Sequence, residues 1–138
     1  MSESFRKEFV VKTRGRGFTE LGAQVNAVVR ESGIRDGMCN VFLVHTSASL
    51  VLGENADPSV RRDLEAYFSR IVPDGDPAYE HDAEGDDDMP AHIRTVLTQN
   101  SIGIPVASSA LAMGTWQGLY LWEHRKAPHE RRVIVTVW

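Results

Sequence analysis

The last third of the chain sets the tightest constraint on the fold. Three apolar, strand-like segments, Ile102–Val106, Leu111–Trp122 and Arg132–Val137, follow one another with no helical pattern between them. Consecutive strands without intervening helices pair antiparallel, which excludes a repeating βαβ layout for this region. "ASSA" separates the first two as a hairpin turn, without the Gly or Asn that such turns favour.

Upstream, Phe5–Thr13 alternates as a first strand, and Met38–His45 and Ser49–Gly53 read as two more. Thr19–Ser32 reads as a helix capped by Thr19, with Leu21, Val25, Val28 and Val29 on one face and Gly33 at its end. A second helix opens at Asp57-Pro58, presents Val60, Leu64, Phe68 and Ile71, and stops at Pro73. A third, short helix starts at Pro90 and contains His92, Ile93, Val96 and Leu97. The expected fold is therefore α+β: one compact domain, residues 1–138, with an antiparallel sheet and about three helices. The last long strand pair leaves a sheet edge, and oligomerisation is one way to cover it.

Charge is distributed unevenly. The segment 74–88 holds eight carboxylates and no Lys or Arg, with His81 inside it and His92 just beyond. Removing those eight leaves 11 acids against 15 bases, a net of +4 on a chain whose total is −4. A local acidic loop on a mildly basic body argues against nucleic-acid binding, which needs a basic stripe. No apolar run approaches the roughly 20 residues that cross a bilayer, and "MSESFRKEFVVKTRG" lacks a signal-peptide core. Cys39 is the single cysteine, so no intrachain disulfide forms, and a reducing, cytoplasmic setting is expected.

Several chemistries are excluded. In "GRGFTELG" the glycines miss the dinucleotide spacing, and no phosphate loop or Gly-x-Ser-x-Gly elbow is present. Counted from Asp74 as a calcium loop, Tyr79 stands where Gly is required and Gly85 where a bidentate Glu is required. One thiol cannot build a zinc–thiolate cluster.

Three segments could carry chemistry. In "HTSASLVLGENADP", His45 ends a buried strand, and the hydroxyls of Thr46, Ser47 and Ser49 with free N–H groups could hold phosphate oxygens. The plainer reading is a polar turn, with Asp57 as a helix cap. In the acidic segment, His81 and His92 lie 11 residues apart with Gly85 between them, so both could reach one ion. The plainer reading is a solvated loop. In "GTWQGLYLWEHRKAPHERR", one strand face carries Trp116, Gly118, Tyr120 and Trp122, and the other runs from Thr115 and Gln117 through Leu119 and Leu121 to Glu123. The plainer reading is tryptophans in the core, Arg125 pairing with Glu123 or the surface, and Arg131 and Arg132 as edge charges.

Taken together, "HTSASLVLGENADPSVRRDL", "VPDGDPAYEHDAEGDDDMPAH", "NSIGIPV", "GTWQGLYLWEHR" and "RRVIVTV" resemble, in order, the YjbQ-like family, also called the secondary thiamine-phosphate synthase enzyme family. The likeness runs from about Val41 to Val137; the first 40 residues match in layout more than in motif. "ASSA" departs from it, replacing a more polar, glycine-containing turn. The resemblance implies a YjbQ-like fold, a homotrimer, and sites near subunit boundaries. It places the functional histidines on His45, His81 and His92, the acidic residue before "MPAH" on Asp88 with Asp87 beside it, and the terminal motif on Thr115, Gln117, Glu123 and Arg125. Three imidazoles from two of these segments then imply a divalent metal, zinc or magnesium.

The activity implied by the resemblance joins a pyrimidine methyl diphosphate to a thiazole phosphate. The metal and Arg125, helped by Thr46 and Ser47, would neutralise the departing diphosphate, with Thr115 and Gln117 also binding substrate. The alternatives are a metal-dependent hydrolase of a small phosphorylated substrate, with Glu123 or Asp88 as base, and a trimeric module that carries a phosphorylated metabolite without turnover.

Overall fold

The computed structural model describes residues 3–138. Its elements run β1 (Phe5–Lys12), β2 (Gly17–Glu20), α1 (Gly22–Ser32), β3 (Gly37–Leu43), β4 (Ala48–Glu54), α2 (Pro58–Ile71), α3 (Asp88–Leu97), β5 (Ser101–Ala107), β6 (Ala110–Leu111), β7 (Gln117–Glu123) and β8 (Glu130–Val137). Two antiparallel sheets result, one ordered β1-β8-β3-β5-β6 and the other β2-β7-β4. The chain is thus an α+β domain with three helices, as the segment pattern requires. Among the described residues no helix is long and apolar enough to cross a membrane.

The larger sheet has two unlike faces. Val41, Ile102, Ile104, Val133 and Val135 point inward and pack with Val25, Val28 and Val29 of α1 and with Leu50, Leu119 and Leu121 of the smaller sheet. Each such side chain contributes about 1.5–3 kcal/mol by leaving water. The opposite face carries Val10, Phe42 and Ile134 among polar neighbours; Val10 is 52% and Phe42 42% exposed.

Four local expectations need correction. Thr19 is not a helix cap: it pairs with Leu121 inside β2, and α1 begins after Leu21, which caps with no side-chain bond. The strand expected over Leu111–Trp122 is interrupted, because β6 ends at Leu111 and β7 starts only at Gln117. Trp116 therefore lies off the strand and is 64% exposed, whereas Trp122 is buried. Both faces of β7 are covered: Leu119 and Leu121 enter the core, while on the other face Phe18 stacks on Trp122 at 4.5 Å and Phe68 of α2 meets it edge-on at 4.8 Å. Finally, α3 starts two residues before Pro90, at Asp88.

Other signals hold. Asp57 caps α2 by accepting from the Ser59 N–H at 2.9 Å, and Gly33 ends α1 with φ 72°. "ASSA" does form a hairpin turn, with Ser108 and Ser109 both at positive φ, 52° and 64°. This primed geometry usually takes Asn or Gly. Here the Ser109 N–H donates to Arg35 O at 2.9 Å, which ties the turn to the α1–β3 connection.

Candidate metal centre

Asp88 and His92 are one helical turn apart at the start of α3, so their side chains share a face. His92 Nε2 lies 3.4 Å from Asp88 Oδ1. The acidic loop folds back so that His81 Nε2 comes within 2.7 Å of Asp88 Oδ2, and the two imidazole rings stand 5.2 Å apart. One ligand atom each from His81, Asp88 and His92 lies within 4.8 Å of the others. Asp88 is buried, His92 partly so, and His81 is exposed, so the cluster has an open side.

Most of the loop's acids hold it in place. Arg16 forks onto Asp74 through Nη1 at 2.8 Å and Nη2 at 3.0 Å. Arg125 donates from Nε to Asp87 Oδ2 at 3.1 Å, from Nη1 to Asp88 Oδ1 at 2.9 Å and from Nη2 to Glu84 O at 2.8 Å. The Lys126 N–H adds a bond to Asp87 at 2.8 Å. Burial would raise the Asp87 carboxyl, but these donors outweigh it and hold its pKa below the ordinary value. Gly85 makes the turn at φ 118°, where a Cβ would stand 3.0 Å from Asp87 Oδ1.

The donor set fits a divalent ion. His92 Nδ1 lies 3.1 Å from Thr46 O, and a carbonyl can only accept, so Nδ1 carries the proton. That leaves the Nε2 lone pair directed at the Asp88 carboxylate, an arrangement that a cation between them would complement. Two imidazoles and one carboxylate suit zinc or a similar transition ion better than magnesium, which prefers oxygen alone.

The remaining expected residues fall in three places. Thr46 joins the triad through its carbonyl rather than its hydroxyl. His45 is not among the three clustered ligands; its Nε2 accepts from the Arg132 N–H at 2.8 Å, and burial, with Arg131 nearby, lowers its pKa. Ser47 Oγ accepts from Arg131 at 2.9 Å. Glu123 is fully buried, paired with Arg131, and accepts from Thr13 Oγ1 at 2.8 Å. Thr115 and Gln117 lie at the opposite end of β7 from Glu123; the Gln117 side chain lines a separate cleft of about 430 Å³ and accepts from the Gly114 N–H. Arg125 gives three of its five side-chain donors to the loop as described.

Sequence reasoning passed over His124 and Arg16 and read Arg131 as an edge charge. Arg131 is 4% exposed and is no edge charge. It sits opposite inward-facing Val11, so the β8 alternation could have placed it inside. His124 is fully buried; its Nε2 lies 2.8 Å from Ser49 Oγ, and its Nδ1 has no partner among the described residues. Burial, with Arg94, Arg16 and Arg131 around it, pushes its pKa down to about 2.

Comparison with known proteins follows the same lines. Residues 7–138 match the family model described as UPF0047 protein YjbQ-like. A UPF0047 protein of Synechocystis is 50% identical over 93% of this chain and 87% of its own length. The YjbQ protein of Escherichia coli O157:H7 is 41% identical over 96% of both. A crystal structure of a YjbQ/UPF0047 family protein from Clostridium acetobutylicum superposes with a TM-score of 0.88 at 36% identity, covering 96% of this chain and 99% of that one. None of these likenesses names a reaction.

Proposed function

Since this chain belongs to the UPF0047 YjbQ-like family, we propose that His81, Asp88 and His92 hold a divalent cation, zinc first, and that the site hydrolyses a small phosphorylated substrate. The observation that carries this reading is the His92 Nε2 lone pair, fixed by Thr46 and aimed at Asp88 from 3.4 Å. When bound, the ion would supply Lewis acidity toward a phosphoryl oxygen and activate water. Asp88 and the two imidazoles would hold it, Arg125 keeps the Asp88 carboxylate in place, and the exposed side of His81 leaves room for substrate.

Condensation to thiamine phosphate would draw on the same ion. It also needs a cationic partner for the departing diphosphate, and three of the five N–H donors of Arg125 are given to Asp87, Asp88 and the Glu84 carbonyl. Hydrolysis therefore ranks ahead of it. The homotrimer belongs to the same proposal; what supports self-assembly is the outer face of the larger sheet, where Val10 and Phe42 are exposed beside half-buried Ile134.

The test is metal content of untagged protein by elemental analysis, followed by a screen of phosphate esters with His92→Ala beside wild type. Bound metal with turnover lost in the variant supports the reading. Equal turnover by both, or no metal under any loading, sinks it.

A further inference from the structure

The glycine-rich stretch "TRGRG" fits no nucleotide motif, yet it builds the wall of a cleft. The cleft is about 400 Å³ and is lined by Lys12, Arg14, Gly15, Arg16, Gly17 and Phe18, with Thr19 at its end. That volume lies within the usual range of small-molecule sites. We propose that this cleft binds a small phosphate- or diphosphate-bearing anion, with Arg14 as its principal cation and Lys12 in support.

The loop is rigidly tethered from beneath. Thr13 is buried, accepts the His129 N–H at 2.9 Å and donates to Glu123. Arg16 donates to His124 O at 3.0 Å and forks onto Asp74. Gly15, at φ 107°, rests so closely on Lys126 that a Cβ would stand 2.3 Å from its carbonyl oxygen. Gly17, at φ 146°, has open space where a Cβ would be. The backbone is thus fixed below and bare above, a setting in which main-chain and side-chain donors can close around an anion.

Charge distribution points to the same ligand. Arg16, Arg125 and Lys126 are each in ion pairs, whereas among the described residues Lys12 and Arg14 are in none. Both are exposed. Glu130 stands opposite Lys12 in the β1–β8 register and lines an adjoining hollow with Lys12, Thr13 and His129. Its carboxylate disfavours an anion on that side and favours the Arg14 side. A guanidinium with unoccupied donors pairs well with phosphate oxygens. The cleft is distinct from the triad, and the inference does not rest on a metal there.

The experiment is a titration of the full chain with pyrophosphate, followed by calorimetry or amide shifts, in EDTA so that no metal bridges the ligand. Wild type and His92→Ala should bind alike, with shifts at Arg14, Gly15 and Gly17. Arg14→Gln should weaken binding roughly tenfold and Lys12→Gln/Arg14→Gln further. No binding at millimolar pyrophosphate overturns the proposal, as does equal binding by the double variant with its fold intact by circular dichroism. Binding of a short RNA at this cleft without pyrophosphate binding would assign it to a polymer and overturn it too.

Discussion

The carbonyl oxygen of Thr46 lies 3.1 Å from Nδ1 of His92 and thereby leaves Nε2 free to face Asp88. The expected outcome is about one zinc per chain, with affinity reduced at least tenfold in His92→Ala and in His81→Ala. Elemental analysis and competition with a chelator measure this. Chelation should also lower Tm in the wild type and leave His92→Ala unchanged, because an ion bound only to the folded chain stabilises it by mass action.

His124 makes stability depend on pH in a window that extends above the carboxylate range. The folded chain keeps its ring neutral down to about 2, while the unfolded chain takes up a proton near 6.5. Between those values the unfolded state binds more protons, so stability is full above 6.5 and falls as pH drops. At pH 5 the loss is about 2 kcal/mol. His45, also lowered, adds a part that remains when His124 is changed. Urea unfolding of wild type and His124→Gln between pH 8 and 5 isolates the difference; parallel curves would contradict it.

Glu123 and Arg131 form a buried pair, and removing one partner strands the other. Arg131→Met or Glu123→Gln should cost about 3–5 kcal/mol, read from urea midpoints. Burial alone would raise Glu123, but hydrogen bonds from Arg131, Thr13 and the Arg125 N–H win and lower it from 4.5. Its carboxylate therefore adds stability above 4.5 that fades as pH falls through the lower folded value. Glu123→Gln should lose that acid dependence.

Arg125 binds the acidic loop at three points, so Arg125→Gln should loosen the loop without unfolding the domain. The expected outcome is faster protease cleavage between Asp74 and Asp88 and weaker zinc retention. Arg16→Gln frees the other end at Asp74 and should speed cleavage with a smaller effect on zinc. Unchanged cleavage in both would mean that backbone bonds, such as the Gly75 N–H to Asp86 O at 2.9 Å, suffice.

Phe42 stands on the uncovered face of the larger sheet, 42% exposed. If that face is where copies meet, Phe42→Glu should convert the assembly to monomers in sedimentation while circular dichroism stays unchanged. A monomeric wild type would refute the trimer outright.

Much of the architecture could be read from periodicity because the strands alternate and two helix ends carry strong signals, the Asp57 cap and Gly33. Thr19 misled because a good capping residue also suits a strand, and only its pairing with Leu121 decides. Trp116 misled because the strand's end depends on a partner: Gln117 is the last residue that β4 can pair, opposite Glu54. Within the candidate site, His81 and His92 were expected as ligands from composition and family motif, whereas Asp88 was expected as a base and His45 as the third ligand. The employment of Arg125 was not legible, since a free cation and a paired one look alike until the loop is folded against them. His124 carried no local mark of burial, and Arg131 carried only its place in the β8 alternation, because polar residues are buried by what the rest of the chain places around them.

Asp88 and His92 belong to one helical turn, while His81 arrives on a loop. The separation of the first two is written in helix pitch and cannot drift with loop length. Descendants of this sequence could gain or lose residues between Asp74 and His81 and keep the site, provided that His81 still reaches back. A single residue inserted between Asp88 and His92 would rotate one side chain about 100° away and erase it. The two halves of the centre therefore face different evolutionary tolerances, one to length and one to phase.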